Sequence, residues 1–189
     1  MVWCVQLYTS PSFLFLTLSS FLVTGASSGF GLEMTRYALE RGDRVVATLR
    51  NPAVLAEFTS SYSSTQLLVT RVDVTKYEEI KAAFQLAKET FGRVDVVFNN
   101  AGHALAGEAE TTPEEPARKV FEVDFWGAVR VSQEAVRFFR EENKPQGGHL
   151  IQNSAAAGIA AFPVLGFYTA AKHGQCMHVR DREACSQAM

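Results

Sequence analysis

One glycine-rich stretch constrains this chain more than any other: Val23-Thr24-Gly25-Ala26-Ser27-Ser28-Gly29-Phe30-Gly31. Phe21 to Val23 reads as a short strand and Leu32 to Arg41 as a helix. The glycines between them follow G-x-x-x-G-x-G, one residue wider at the front than the usual dinucleotide fingerprint. Glycine is needed there because the backbone must turn tightly at a strand end and approach a pyrophosphate closely, whose charge then meets the unpaired N–H groups of the helix start. Gly25, Ser27, Ser28, Phe30 and Gly31 are therefore candidate cofactor-binding residues. A Gly-Ser loop that holds no ligand is the competing reading.

The rest of the chain alternates strand and helix. Gly42 falls where a helix C-cap belongs, and Val45 to Leu49 is an unalternating apolar run, as expected of a strand covered on both faces. Gln66 to Val72 reads as a third strand. Thr75 with Glu78 has the capping-box pattern, and Ile80, Ala83, Phe84, Ala87 and Phe91 recur at helical spacing. Val94 to Phe98 is a fourth strand. Thr112-Pro113-Glu114-Glu115 announces a helix running to about Glu142, in which Gly127 implies close approach of a neighbouring element. His149 to Ser154 is a fifth strand, and a further helix begins near Phe167. Such alternation predicts an α/β, Rossmann-like, doubly wound parallel sheet. Ligands bind such sheets at the carboxyl ends of the strands.

Those ends carry further candidates. The second closes on Leu49-Arg50, where a carboxylate would chelate an adenosine ribose; a guanidinium there suits a 2′-phosphate and favours NADP(H) over NAD(H). Arg50 as a solvated loop cation is the alternative. Asp73 and Val74 close the third strand, Asp73 able to accept from an adenine amino group or to serve as ordinary turn chemistry. At the fourth end Asn100, Ala101 and Gly102 follow Asn99, small enough to let a cofactor pass, with amides that also brace adjacent strands. Tyr168 and Lys172, at i and i+4, share a helix face, where an ammonium can pull a phenol toward neutral pH and fit it for proton transfer beside a nicotinamide. Most isolated pairs of this kind are surface contacts.

Composition bounds the partners. A net charge of −2 without blocks of like charge gives no reason to expect nucleic acid or an anionic membrane. Cys4, Cys176 and Cys185 are sparse and odd in number, which suits a reducing compartment and makes the cytoplasm the expected location. His173, Cys176, His178 and Cys185 match no standard zinc spacing, so no metal is expected. Residues 1–32 carry no charged side chain, yet the apolar run from Phe13 flows directly into the glycine turn. A span or secretory signal would end before the fold. Residues 1–19 are read as an apolar extension of unassigned role, a membrane anchor being the lesser alternative, and 20–189 as the NAD(P)-binding domain.

Thr24 to Gly31, Asn99 to Gly102 and Tyr168-Thr169-Ala170-Ala171-Lys172, in this order, resemble the short-chain dehydrogenase/reductase family over about residues 20–175. The resemblance implies an oxidoreductase acting on small carbonyl or alcohol substrates, with Tyr168 as general acid/base and Lys172 binding the nicotinamide ribose and lowering the Tyr pKa. It also implies pairing of copies through the helices at about 113–142 and from 167 onward. Three departures stand out. The family's carbonyl-orienting serine falls on Ala155, with Ser154 one place early and turned to the other face by strand alternation. Asp124 occupies the place of a relay asparagine. After Lys172 the chain ends at Met189 without the family's last strands, so it reads as C-terminally truncated, and the fifth strand is expected to be left as an exposed edge. Alternatives are a catalytically impaired, cofactor- or partner-binding remnant, or a product of altered splicing or gene prediction that folds poorly.

Overall fold

The computed structural model describes residues 3–8 and 18–187, with side chains over 18–178. A six-stranded sheet has the order β1-β6-β5-β2-β3-β4. Its members are β1 (Trp3–Tyr8), β2 (Ser20–Thr24), β3 (Arg44–Leu49), β4 (Leu67–Arg71), β5 (Val96–Asn99) and β6 (Gly148–Asn153). The last five run parallel, and flanking helices make the fold Rossmann-like and doubly wound. The helices are α1 (Gly29–Glu40), the short α2 (Ala56–Ser60), α3 (Tyr77–Phe91), α4 (Glu114–Val120), α5 (Ala128–Glu141) and α6 (Gly166–Gln187).

One expectation is overturned. β6 is not left as an edge: Trp3–Tyr8 lies antiparallel beside it, with Val5 opposite Ile151. A strand whose outer N–H and C=O groups would otherwise lack partners gains a ladder from the start of the same chain. The apolar residues at 13–17 lie outside the described residues. Among the described residues no helix is long and apolar enough to cross a membrane.

The pleat sorts the core into two layers. Leu22, Val46, Val97 and Leu150 face one side, where Phe84, Phe91, Phe138 and Phe139 from α3 and α5 cover them. Val23, Val45, Ala47 and Phe98 face the other, against Ala38 and Leu39 of α1. Successive strand residues thus enter opposite layers, which is why the strands read as unbroken apolar runs.

Two local readings differ. The capping box at Thr75 and Glu78 does not form; Lys76 is the N-cap residue, and no side chain caps the helix. Instead Asp73 Oδ1 accepts from the Thr75 backbone N–H and hydroxyl, and Glu79 Oε2 accepts from the Asp73 N–H at 2.7 Å. The long helix expected from residue 113 to 142 is interrupted by a π-helical segment, Phe121–Gly127. Gly127 shows the close approach anticipated for it, since a Cβ there would lie 2.7 Å from Val74 Cγ2.

At the end of the sheet opposite the strand carboxyl ends, Asp95 is fully buried and ties the start of β2 to the segment that leads into β5. Its Oδ2 accepts from Ser20 N (2.8 Å) and Ser20 Oγ (2.9 Å), and its Oδ1 from Arg93 Nε. Removing it leaves buried donors unpaired, so Asp95→Ala is expected to lower stability by about 3 kcal/mol. Urea denaturation checks this; a loss below about 1 kcal/mol would mean that water or neighbouring groups take over the bonds.

Candidate functional site

The sheet order reverses direction between β2 and β5, and the chain leaves these neighbours on opposite sides. A cleft of about 1960 Å³ opens there. Its wall includes Gly25, Ser27, Ser28, Phe30, Arg50, Asp73, Val74, Asn100, Ala101, Gly102, Asp124, Ser154, Ala155, Tyr168 and Lys172. Candidate residues from seven stretches of the chain therefore meet on one surface, including every candidate site residue named from the sequence except Gly31.

The glycine turn has the geometry expected of an anion cradle. Gly25 has φ +67°, and a Cβ on it would lie 3.0 Å from the Ala101 Cα. A Cβ on Gly31 would sit 2.2 Å from the Gly25 carbonyl oxygen, which no side chain can accommodate. α1 begins at Gly29 with no side-chain cap from Ser28 and no acidic residue in its first turn, leaving the positive end of the helix open to the cleft. These residues fit a dinucleotide pyrophosphate.

Asn100 ties the turn to β5. Its Nδ2 donates to the Thr24 carbonyl (2.9 Å) and its Oδ1 accepts from Asn153 Nδ2 (2.8 Å). Thr24 Oγ1 accepts from the backbone N–H groups of Asn100 and Ala101 at 2.9 and 3.0 Å. Asn99 points the other way, into the core, donating to Ala128 O and Gln152 Oε1. Both amides of this Asn-Asn stretch thus brace neighbouring elements, Asn100 at the cleft and Asn99 in the core.

Arg50 is exposed at the cleft, beside Asp73. Burial works against the Asp73 carboxylate, but the Thr75 hydrogen bonds and then the Arg50 and Lys76 charges hold it below its ordinary value. Among the described residues no group of His, Cys, Asp and Glu is arranged to hold a metal.

Tyr168 and Lys172 emerge together from the first turns of α6, the Lys172 ammonium 5.9 Å from the Tyr168 ring centroid. Lys172 is buried; it donates to Gln175 Oε1 at 3.1 Å and lies 3.5 Å from Asp124 Oδ2. The phenol is raised above its ordinary value rather than lowered, first by burial and then by the Asp124 carboxylate. Asp124 sits in the middle of the π-helical segment, fully buried, its Oδ1 accepting from the His103 backbone N–H at 2.9 Å. Burial raises its carboxyl, against the lowering effect of Lys172 and His103.

Ser154 reaches the cleft wall, but its hydroxyl shares a hydrogen bond with Cys176 Sγ at 3.0 Å in the packing between β6 and α6. Ala155 presents only a methyl group. Thr24, His103, Asn153 and Gln175 were not singled out as site residues. Thr24 lies within the glycine-rich stretch and His103 directly follows Gly102, but nothing in the order of residues tells that Asn153 or Gln175 folds onto the same network.

The sequence profile of the short chain dehydrogenase family matches residues 20–184. An uncharacterized oxidoreductase of Schizosaccharomyces pombe is 37% identical over 82% of this chain and 51% of its own length. The oxidoreductase calM of Penicillium decumbens is 36% identical over the same shares. A short-chain dehydrogenase of Streptomyces avermitilis superimposes with a TM-score of 0.77 at 31% identity, covering 84% of this chain and 57% of that one. The chain spans about half the length of the curated relatives it matches. With its sheet order, its glycine turn and this match along most of its length, the chain belongs to the short-chain dehydrogenase/reductase family.

Proposed function

We propose that this chain carries the cofactor-binding and proton-transfer half of an NADP(H)-dependent oxidoreductase that interconverts a carbonyl and an alcohol. The observation that carries the reading is one continuous cleft joining the glycine turn, Arg50 and the Tyr168/Lys172 pair. Gly25, Ser27, Ser28, Phe30 and Gly31 hold the pyrophosphate at the start of α1. Arg50 takes the 2′-phosphate, Asp73 and Val74 border the adenine, and Asn100, Ala101 and Gly102 line the path toward the nicotinamide ribose, which Lys172 binds. NADP(H) supplies or removes the hydride at the substrate carbon. Tyr168 donates its proton to the carbonyl oxygen in reduction and accepts one from the alcohol in oxidation. Copies of the whole protein pair through α4, α5 and α6, and it works in the cytoplasm.

Ala155, together with the engagement of Ser154 by Cys176, favours one alternative, a remnant that binds cofactor without turning substrate over. An orienting hydroxyl of this kind acts on developing charge, where loss of one donor costs about 10²-fold in rate.

A ligand that binds only the native state raises its stability, by about 2.7 kcal/mol at a hundredfold excess over Kd. NADPH is therefore expected to raise the melting temperature by several degrees and more than NADH does, and Arg50→Asp to remove the difference. An equal response to both cofactors would count against the role given to Arg50.

With its phenol held high, Tyr168 stays protonated through the neutral range. Carbonyl reduction should accordingly be flat there, while alcohol oxidation should climb as pH rises toward the phenol's ionisation. Tyr168→Phe should abolish both directions while leaving the NADPH thermal shift in place, as initial rates and melting curves would show.

Ala155→Ser separates enzyme from remnant. A gain of about 10²-fold in carbonyl reduction, measured on a panel of ketones and aldehydes, is expected if the missing hydroxyl limits the rate. No gain in a chain that binds NADPH would remove the serine from the account.

A further inference from the structure

Asp124 is a buried carboxylate at the centre of the second half of the cleft. It is fully buried at the middle of the π-helical segment, and its two oxygens face different partners. Oδ1 takes the His103 backbone N–H at 2.9 Å and has the His103 imidazole Nδ1 3.5 Å away. Oδ2 accepts no hydrogen bond among the described residues, and its charged neighbour is the Lys172 ammonium at 3.5 Å. Gly102 makes room for this carboxylate, since a Cβ there would lie 3.0 Å from Oδ2. The groups facing Asp124 are therefore Lys172 from α6 and His103 from the loop after β5, with Tyr168 one helical turn before Lys172.

A buried carboxylate and a buried ammonium at this separation attract strongly, because little water screens them. Lys172 is also drawn to Gln175 Oε1, so two directions of its ammonium are already committed. Resting on the proton-transfer role of Tyr168 proposed above, we propose that Asp124 is a positioning residue that holds the Lys172 ammonium against itself and away from the Tyr168 hydroxyl. Where an asparagine would leave the ammonium free to face the phenol, the carboxylate competes for it. It also adds negative charge beside the ring, disfavouring the phenolate on both counts. The consequence is a chain whose Tyr168 works as a proton donor over a wide pH range and as a base only in alkali, which biases this site toward reduction away from alkaline pH.

The test is the ionisation of Tyr168 followed by NMR of 13Cζ-labelled tyrosine, with Tyr168→Phe assigning the resonance. Asp124→Asn keeps the shape and removes the charge. It is expected to bring the Tyr168 titration down by about one pH unit, a tenfold easier ionisation. Should that variant not fold, Asp124→Ser removes the same charge with a smaller side chain and is expected to move the titration in the same direction. An unchanged or raised titration in the folded variant overturns the proposal. Loss of stability alone would not move this resonance, so a purely structural Asp124 is distinguished. The readout needs neither cofactor nor turnover: a native chain that reduces no carbonyl counts against the redox reading, while the titration still decides the part played by Asp124.

Discussion

β2 and β5 lie hydrogen-bonded side by side, yet the chain leaves their carboxyl ends on opposite sides of the sheet. Everything in the cleft depends on how the backbone groups at that parting are satisfied. Thr24 Oγ1 accepts two backbone N–H groups from the β5 end, while Asn100 returns a donor to the Thr24 carbonyl. Unpaired, such buried groups would each be worth roughly 1–3 kcal/mol against folding. Paired, they fix the glycine turn relative to the Asn-Asn-Ala-Gly segment and so fix the width of the cleft. Asn153 extends the brace to β6 through the other amide atom of Asn100.

The second half of the cleft is organised by charge. Asp124, Lys172 and His103 come from three elements and converge where solvent is nearly excluded on the Asp124 and Lys172 side. A lone buried charge there would be strongly disfavoured, so the carboxylate and the ammonium each stabilise the other's presence. The π-helical turn that carries Asp124 lies in the continuous stretch from α4 to α5, and such turns are frequent at functional sites. Its companion Gly127 lets Val74, itself on the cleft wall, press against the helix.

The edge beside β6 illustrates the reach of hydrogen-bond accounting. A strand in a parallel sheet has the same polar groups on its outer side whether or not a further parallel strand follows, and they accept an antiparallel neighbour equally well. Trp3–Tyr8 takes that place. Nothing in the apolar, uncharged character of residues 1–19 distinguished a strand from an anchor, because the signal that matters is the register against Gly148–Asn153, which is a property of the pair.

Local order in the sequence determined the alternation of strand and helix, the glycine turn, the candidates at each strand end and the helical pairing of Tyr168 with Lys172. All of these rest on periodicity, on backbone conformations that favour glycine, or on neighbours within one helical turn. Strand alternation set Ser154 and Ala155 on different sides, but β6 ends at Asn153 and both residues line the cleft. Only the tertiary structure decided that Ser154 meets Cys176, that the expected capping box gives way to Glu79 reaching back to Asp73, and that Trp3–Tyr8 covers the sheet edge. It also decided the electrostatic sign at Tyr168. A cation at i+4 suggested a lowered phenol, but burial first, and then a carboxylate from another element, raise it, and neither is visible in the spacing along one helix.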